Sequence, residues 1–412
     1  MRDYSLSVIE PPAIDVVGLT ARGWADLAEP ERAIVRSAAL LVGGSRLLDL
    51  VPIRPDQRVA ELPRPLRAGL RDLLAGEQRA VVLASGDPLV SGIGTTLLAE
   101  LGTDAVRIHP AVSSVALARA RMGWPAESVS TVSLVGRPLD RLRRLLAPGA
   151  RLVVLSGDRH GPKAIAALLV EEGYGASLMT VLGDLGTDHE SRREAPAERW
   201  HDESPQLNVV CLDCRATAAA PHHGWTPGLP DGAYDHDGQL TKRDVRAAVL
   251  ARLAPQPAEL LWDLGAGAGS VAIEWCRADP GCRAVAVERD PDRAERISRN
   301  AAKLGVPDLQ VVVADSGRPG LLAGLPVPSA IFIGGGADAQ LLEDCWAVLA
   351  GGGRLVVAAV TVETEQLVLA SAEQHGGELT RISTERLQPL GRYRAWVPAR
   401  PVVLWSTVKE AS

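Results

Sequence analysis

The chain has 412 residues, which at ~100–200 residues per domain is enough for two or three domains. Its 46% hydrophobic and 23% charged residues are those of a folded globular protein rather than a disordered one. A formal net charge of −6, and no apolar run near the ~20 residues of a membrane helix, argue against a nucleic-acid binder, an anionic-membrane binder and a membrane-spanning protein.

The opening MRDYSLSVIEPPAIDVVGL has no basic flank followed by an apolar core, so no signal peptide is expected. Five cysteines in so long a chain make no disulfide framework, and a cytoplasmic location is the expectation. Short β-branched runs then recur as predicted strands: IDVVGL near residue 14, ALLVGG near 39, AVVLASG near 80, RLVVLSG near 151 and LNVVCLD near 207. Helical stretches separate several of them, among them Pro65–Leu74 and Thr95–Leu101, and the alternation predicts an α/β layer architecture. The stretch 187–204 is charged and without period, and is expected at the surface. From 216 to 238 the chain reads ATAAAPHHGWTPGLPDGAYDHDG, dense in the residues that set turns. It is read as a linker between a domain at 1–215 and another at 239–412, and no internal repeat is visible.

In the second region, ELLWDLG (259–265), CRAVAVE (282–288), LQVVVAD (309–315), SAIFIGG (329–335) and GRLVVAAV (353–360) are predicted strands. An amphipathic helix is expected over Pro291–Leu304. Two further strands near 379–390 and 402–409, joined by a loop, read as an antiparallel end on a parallel sheet, which makes a seven-stranded sheet. The sharpest local signal is WDLGAGAGSVAIEW (262–275): a strand ending at Leu264, a turn with Gly265, Gly267 and Gly269, and a helix from near Ser270. Glycines let the backbone turn tightly and a ligand approach the helix start. The second strand ends in Glu288, where a carboxylate can accept both hydroxyls of a ribose. Two cofactor classes compete for this arrangement. A dinucleotide fingerprint would place glycine or alanine at 270, where this chain has Ser270. The G-x-G-x-G spacing after Asp263, with the antiparallel strand pair, resembles a Rossmann-like class I S-adenosylmethionine-dependent methyltransferase. That resemblance implies cofactor contacts from the turn Gly265, Ala266, Gly267, Ala268 and Gly269, and from Asp315 and Ser316 on the adenine side.

The first region has its own constellation. VVLASGDPLVSGIG (81–94) puts Ser85, Gly86, Asp87 and Pro88 at the end of an apolar strand, and PAVSSVALA (110–118) puts Ser113 and Ser114 at a helix start. Backbone amides and hydroxyls at such ends can hold carboxylate or ribose oxygens, although a turn and an N-cap would use the same residues. Together the two motifs resemble the tetrapyrrole methylases, whose α/β fold binds S-adenosylmethionine differently. Here Leu89, Val90 and Ser91 follow SGDP where aromatic residues are frequent, and GLTARG replaces a Gly-Pro-Gly turn.

VVGLTARGW (16–24), GGSRLLDL (43–50), PAVSSVALARARMGW (110–124), PGLPDGAYDHDGQLTKRDVRA (227–247) and AIFIGGG (330–336), read together, resemble the fused, decarboxylating precorrin methyltransferases of cobalamin biosynthesis over nearly the full length. The resemblance implies methylation of precorrin-6Y (or precorrin-6B) at C-5 and C-15, one by each domain, with loss of the C-12 acetate carboxylate in the C-terminal one, giving precorrin-8X; the alternative is a single-activity C-terminal methyltransferase whose N-terminal domain only binds substrate. It implies S-adenosylmethionine as cofactor, Thr241 among its contacts, a small-molecule tetrapyrrole as partner, and a homo-oligomer. A substrate with many carboxylates needs cations, and Lys242, Arg243 and Arg246 are the positional candidates, each equally readable as a solvated helix face. No catalytic residue can be named from spacing. Cys211 and Cys214 form C-x-x-C near His222 and His223, but a strand end explains the cysteines and no metal is expected. Most of the nine tryptophans, including Trp24, Trp124, Trp262, Trp275, Trp346, Trp396 and Trp405, lie in apolar segments and are expected in core or interface.

Overall fold

The computed structural model describes residues 14–76, 79–201, 203–218, 220–221, 223–318 and 320–411. The chain divides into two compact units, one taking the chain up to Arg137 together with Pro148–Ala220, the other Pro138–Ala147 together with Pro221–Ser412.

The first unit holds two sheets. Strands β1 (Ile14–Leu19), β2 (Leu40–Gly43), β3 (Arg58–Glu61), β4 (Ala80–Ser85) and β5 (Val106–His109) form an all-parallel sheet in the order β3-β2-β4-β1-β5. Val16, Val42 and Val82 pack on one face with Leu70, Leu74 and Leu97. Val17, Leu41 and Leu83 pack on the other with Val35 and Leu47. Covering both faces is why the central strands β1, β2 and β4 read as apolar runs, while the edge strands β3 and β5 do not. The second sheet contains β6 (Ser130–Ser133), β7 (Arg151–Leu155), β8 (Leu178–Gly183), β9 (Ser191–Pro196) and β10 (Asn208–Asp213) in the order β6-β7-β10-β8-β9. Only β6 and β7 run parallel. Among its described residues the charged stretch 187–204 is mostly at the surface as expected, with Ala197 and Trp200 buried, yet it is not irregular. Its Ser191–Pro196 pairs with β8 as an edge strand, and charge is what an edge strand carries to refuse further partners. The helix expected at Pro65–Leu74 spans Leu66–Leu74, with Pro65 as N-cap.

The second unit is built on one seven-stranded sheet. Strands β11 (Leu260–Leu264), β12 (Arg283–Glu288), β13 (Gln310–Val313), β14 (Ala330–Ile333) and β15 (Arg354–Ala359) are parallel, and β16 (Glu378–Ile382) completes the edge. Between β16 and β19 (Val402–Val408) the chain makes a separate hairpin, β17 (Glu385–Leu390) and β18 (Tyr393–Pro398). The order is β13-β12-β11-β14-β15-β19-β16, with β19 antiparallel to both neighbours. The expected strand at 379–390 is therefore two. Its first half joins the sheet, while its second half pairs with β18, and all six β17 residues are exposed. Trp262, Trp275 and Trp405 are fully buried, whereas Trp396, on the hairpin, is 65% exposed.

The stretch 216–238 is not all linker. Leu229, Ala233 and Tyr234 are buried in the core of the second unit with Val249, Val271 and Trp275. Three apolar side chains spaced among turn residues carry no period, so the packing was invisible to pattern.

Candidate functional site

In the second unit the parallel strands order themselves outward from β11, so the strand sequence reverses between β11 and β14. A crevice at the carboxyl ends of such strands is where open α/β sheets bind ligands. The turn leaving β11 lies there. Gly265, Gly267 and Gly269 all have positive φ, 68°, 59° and 74°, a region that costs a side chain dearly. A Cβ on Gly265 would stand 2.5 Å from the Gly335 carbonyl oxygen, in the loop after β14. The next turn residues, Ala266 and Ala268, complete the passage into the helix Ser270–Ala278.

Glu288, 4% exposed, ends β12 and accepts the Gly267 amide at 2.8 Å and the Asp290 amide at 3.1 Å. Its carboxylate thus fastens the turn and still has lone pairs for a ligand. Asp263, on β11, is 1% exposed and accepts the Ala272 amide at 3.0 Å, while its Oδ1 is buried without a partner. Burial pushes its carboxyl up to about 7, against the pull of the Ala272 bond and with a further push from the Glu288 charge. Asp315 and Ser316 follow β13 at the same sheet edge, with Asp315 exposed and accepting the Gly317 amide.

Thr241, Lys242 and Arg243 lead into the helix Arg243–Leu253, and Lys242 and Arg243 are exposed. Arg246 is not. It is 0% exposed and donates to Glu274 at 2.6 Å, to the Thr241 and Leu229 carbonyls, and to Asp231. Its guanidinium is consumed by this network over the Tyr234 ring, so its assignment to substrate is corrected to a structural one. Glu274, which sequence reasoning missed, also accepts the Gly228 and Leu229 amides and the Tyr234 hydroxyl. That network holds the strap 228–241, and the strap brings the Gln239 carbonyl against the glycine turn: a Cβ on Gly267 would stand 3.0 Å from it.

The first unit has a cleft of about 810 Å³ lined by Ser85, Gly86 and Ser114 together with Thr20, Arg46 and Asp184. Ser85 accepts a hydrogen bond from Arg46 at 3.3 Å. The β1, SGDP and PAVSS segments meet at close range, since Gly86 donates to the Leu19 carbonyl at 2.7 Å and a Cβ on Gly86 would stand 3.0 Å from the Ser113 Cα. Asp87 and Ser113 stand behind this surface. Asp87 accepts the Leu89 amide, and Ser113 caps its own helix by accepting the Ala116 amide, as turn and N-cap residues do. Asp184 carried no sequence signal, and Arg46, though inside the GGSRLLDL segment, was not singled out, because the two lie on separate elements that only the fold joins.

Burial pushes the Cys211 and Cys214 thiols up to about 12, as for inert core cysteines. His222 lies outside the described residues. Among those described, no group of three or more His, Cys, Asp or Glu is placed to hold a metal ion, and no helix is long and apolar enough to cross a membrane.

Comparison with known proteins completes the picture. Residues 16–199 match the model of the tetrapyrrole (corrin/porphyrin) methylases, and residues 232–409 match the precorrin methyltransferase domain. Fold and sites thus define a protein of two methyltransferase domains in one chain. A precorrin-6Y C(5,15)-methyltransferase [decarboxylating] from Sinorhizobium sp is 41% identical over 99% of this chain and 100% of its own length. The chain belongs to that family of decarboxylating precorrin-6Y methyltransferases. Two shorter relatives each cover about half of it. A probable cobalt-precorrin-6B C(15)-methyltransferase (decarboxylating) from Pyrobaculum aerophilum is 33% identical over 43% of this chain and 94% of its own. A cobalt-precorrin-7 C(5)-methyltransferase from Salmonella typhimurium is 32% identical over 49% of this chain and 100% of its own.

Proposed function

We propose that the protein methylates precorrin-6Y at C-5 and C-15, with loss of the C-12 acetate carboxylate, to give precorrin-8X, and that each unit performs one methyl transfer. The observation that carries the reading is a separate site at the carboxyl ends of a parallel sheet in each unit, a cleft of about 810 Å³ in the first and the glycine turn fastened by Glu288 in the second. S-adenosylmethionine, when bound, supplies an electrophilic methyl group on sulfur. The residues of the second unit fit it: the Gly265–Gly269 turn, carrying nothing larger than a methyl group and with its glycines packed on Gly335, Gln239 and Ile297, presents backbone at the crevice, Glu288 accepts ribose hydroxyls, and Asp315 and Ser316 flank the adenine side. Thr241 ends the strap whose Gln239 carbonyl lies against the turn. In the first unit Ser85, Gly86 and Ser114 face the ligand, with Asp87 and Ser113 shaping the two turns that present them.

What remains for the protein is alignment, since the donor is already electrophilic and the conjugated macrocycle supplies the electrons. Once the ring is methylated, its iminium-like system can accept the electron pair of the breaking bond between acetate carbon and carboxylate. Carbon dioxide leaves, and no metal or further cofactor is needed for the electron balance. Calorimetric titration of the full chain with S-adenosylmethionine tests the reading: two sites support it, and a single site would make the first unit a non-catalytic substrate binder.

A further inference from the structure

The hairpin of β17 and β18 packs into no layer of the second unit's sheet. Leu390 and Tyr393 are each 64% exposed and Val397 42%, although a two-stranded hairpin on its own is marginally stable at best. Its charge is also unlike that of the chain. Between 385 and 400 stand Arg386, Arg392, Arg394 and Arg400 against Glu385 alone, in a protein of net charge −6.

Topology places it at the site. Ile382, the last residue of β16, pairs with Val402, and Ala359, the last residue of the parallel β15, pairs with Val403. The hairpin between Ile382 and Val402 therefore leaves from the sheet edge where the glycine turn and Glu288 lie. Cross-strand pairing puts Arg386 with Val397 and Leu390 with Tyr393 on one face, and Leu387 with Trp396 on the other. Arg386 reaches Asp231 at 3.7 Å and Asp244 at 3.8 Å, and Asp231 in turn accepts the Arg243 amide at 2.9 Å. The Arg386–Tyr393 face is thus turned toward the helix start that exposes Lys242 and Arg243. The Arg392 guanidinium lies 5.0 Å from the Tyr393 ring centroid.

We propose that this hairpin face is a wall of the tetrapyrrole site in the second unit, with Tyr393 and Leu390 against the macrocycle and Arg392, Lys242 and Arg243 taking its carboxylates. The inference rests on the proposed function. A flat ring edged with acids needs an apolar plane and several cations spread around it, and this face supplies both while standing open.

The test uses the full chain with the tetrapyrrole substrate, following carbon dioxide release and both methylations. Tyr393→Ala and Arg392→Gln are expected to raise the tetrapyrrole KM for carbon dioxide release about tenfold or more. The KM for S-adenosylmethionine, the other methylation and the sedimentation coefficient stay unchanged. Trp396→Ala, on the opposite face, leaves the tetrapyrrole KM unchanged. Wild-type kinetics in Tyr393→Ala and Arg392→Gln overturn the inference while leaving the proposed function intact. A changed sedimentation coefficient overturns it by giving the hairpin to a second copy of the chain. A wild-type chain that releases no carbon dioxide overturns the proposed function and this wall with it.

Discussion

The Glu288 carboxylate accepts the Gly267 amide at 2.8 Å, so the end of β12 holds the middle of the turn that leaves β11. The residue proposed to bind the ribose is also the one that fixes the shape of the loop beneath it. Glu288→Ala should remove both functions and weaken S-adenosylmethionine binding in the second unit by on the order of 1.5–3 kcal/mol, tenfold or more. Glu288→Gln keeps an oxygen for the Gly267 amide and should fall between wild type and alanine. Calorimetry on the full chain reads both, with the first-unit site as internal reference. Unchanged affinity in Glu288→Ala removes the assignment.

Asp263 gives a pH dependence with a definite sign. Its carboxyl is raised from 3.8 to about 7 in the folded chain, chiefly by burial. Between those values the native state binds the proton that the unfolded chain has released. Stability therefore falls as pH rises from about 4 to about 7, and levels off above. Asp263→Asn cannot ionise, and its side-chain oxygen can still accept the Ala272 amide. The difference in Tm between wild type and variant should shift in the variant's favour across that window. Parallel Tm curves in calorimetric scans would show that Asp263 does not titrate there.

How much of the strap the Pro221–Ser412 part of the second unit needs can be tested by truncation, with both fragments lacking Pro138–Ala147 alike. A fragment starting at residue 239 loses Leu229, Ala233 and Tyr234 from the core. It also strips Glu274 of the Gly228 and Leu229 amides and the Tyr234 hydroxyl. Leaving a buried ion pair short of its hydrogen bonds typically costs several kcal/mol. A fragment starting at 221 keeps them all. The longer fragment should be soluble with a cooperative melt and the shorter one should not; equal melting temperatures would mean that the strap contributes nothing to folding.

The contrast between Glu288 and Glu274 marks how far sequence reaches. Glu288 was legible because a strand end, a fixed distance from a glycine turn, is a local pattern. Glu274 is an unremarkable helix acid whose partners lie some forty residues upstream in a stretch without period, so only the folded strap reveals it. Arg246 failed for the same reason: a helix-start arginine reads as solvated until its partners are seen. The parallel strands β1, β2, β4 and β11–β15 were read from their apolar runs, whereas the short β3, β5 and β6, together with β8 and the charged β9, were not. The hairpin was half-read, as one strand, because alternation does not say which neighbour a strand will choose.

Division of labour between the two units can be separated by paired glycine substitutions. Gly267 has a φ of 59° and faces the Gln239 carbonyl, 3.0 Å from where a Cβ would stand. Gly267→Val therefore strains the turn and fills the space under the strap. It should abolish one methylation together with decarboxylation, because the acetate is lost from the ring held in that same site. Gly86→Val is the converse. Gly86 has a φ of 63°, lines the first-unit cleft, and would bring a Cβ to 3.0 Å of the Ser113 Cα. It should remove only the other methyl transfer. Mass spectrometry of the products distinguishes the outcomes, since an added methyl and a lost carbon dioxide change the mass in opposite directions. A Gly267→Val protein that folds and still releases carbon dioxide would place decarboxylation outside the second unit, and a Gly86→Val protein that transfers both methyl groups would leave the first-unit cleft without a catalytic role.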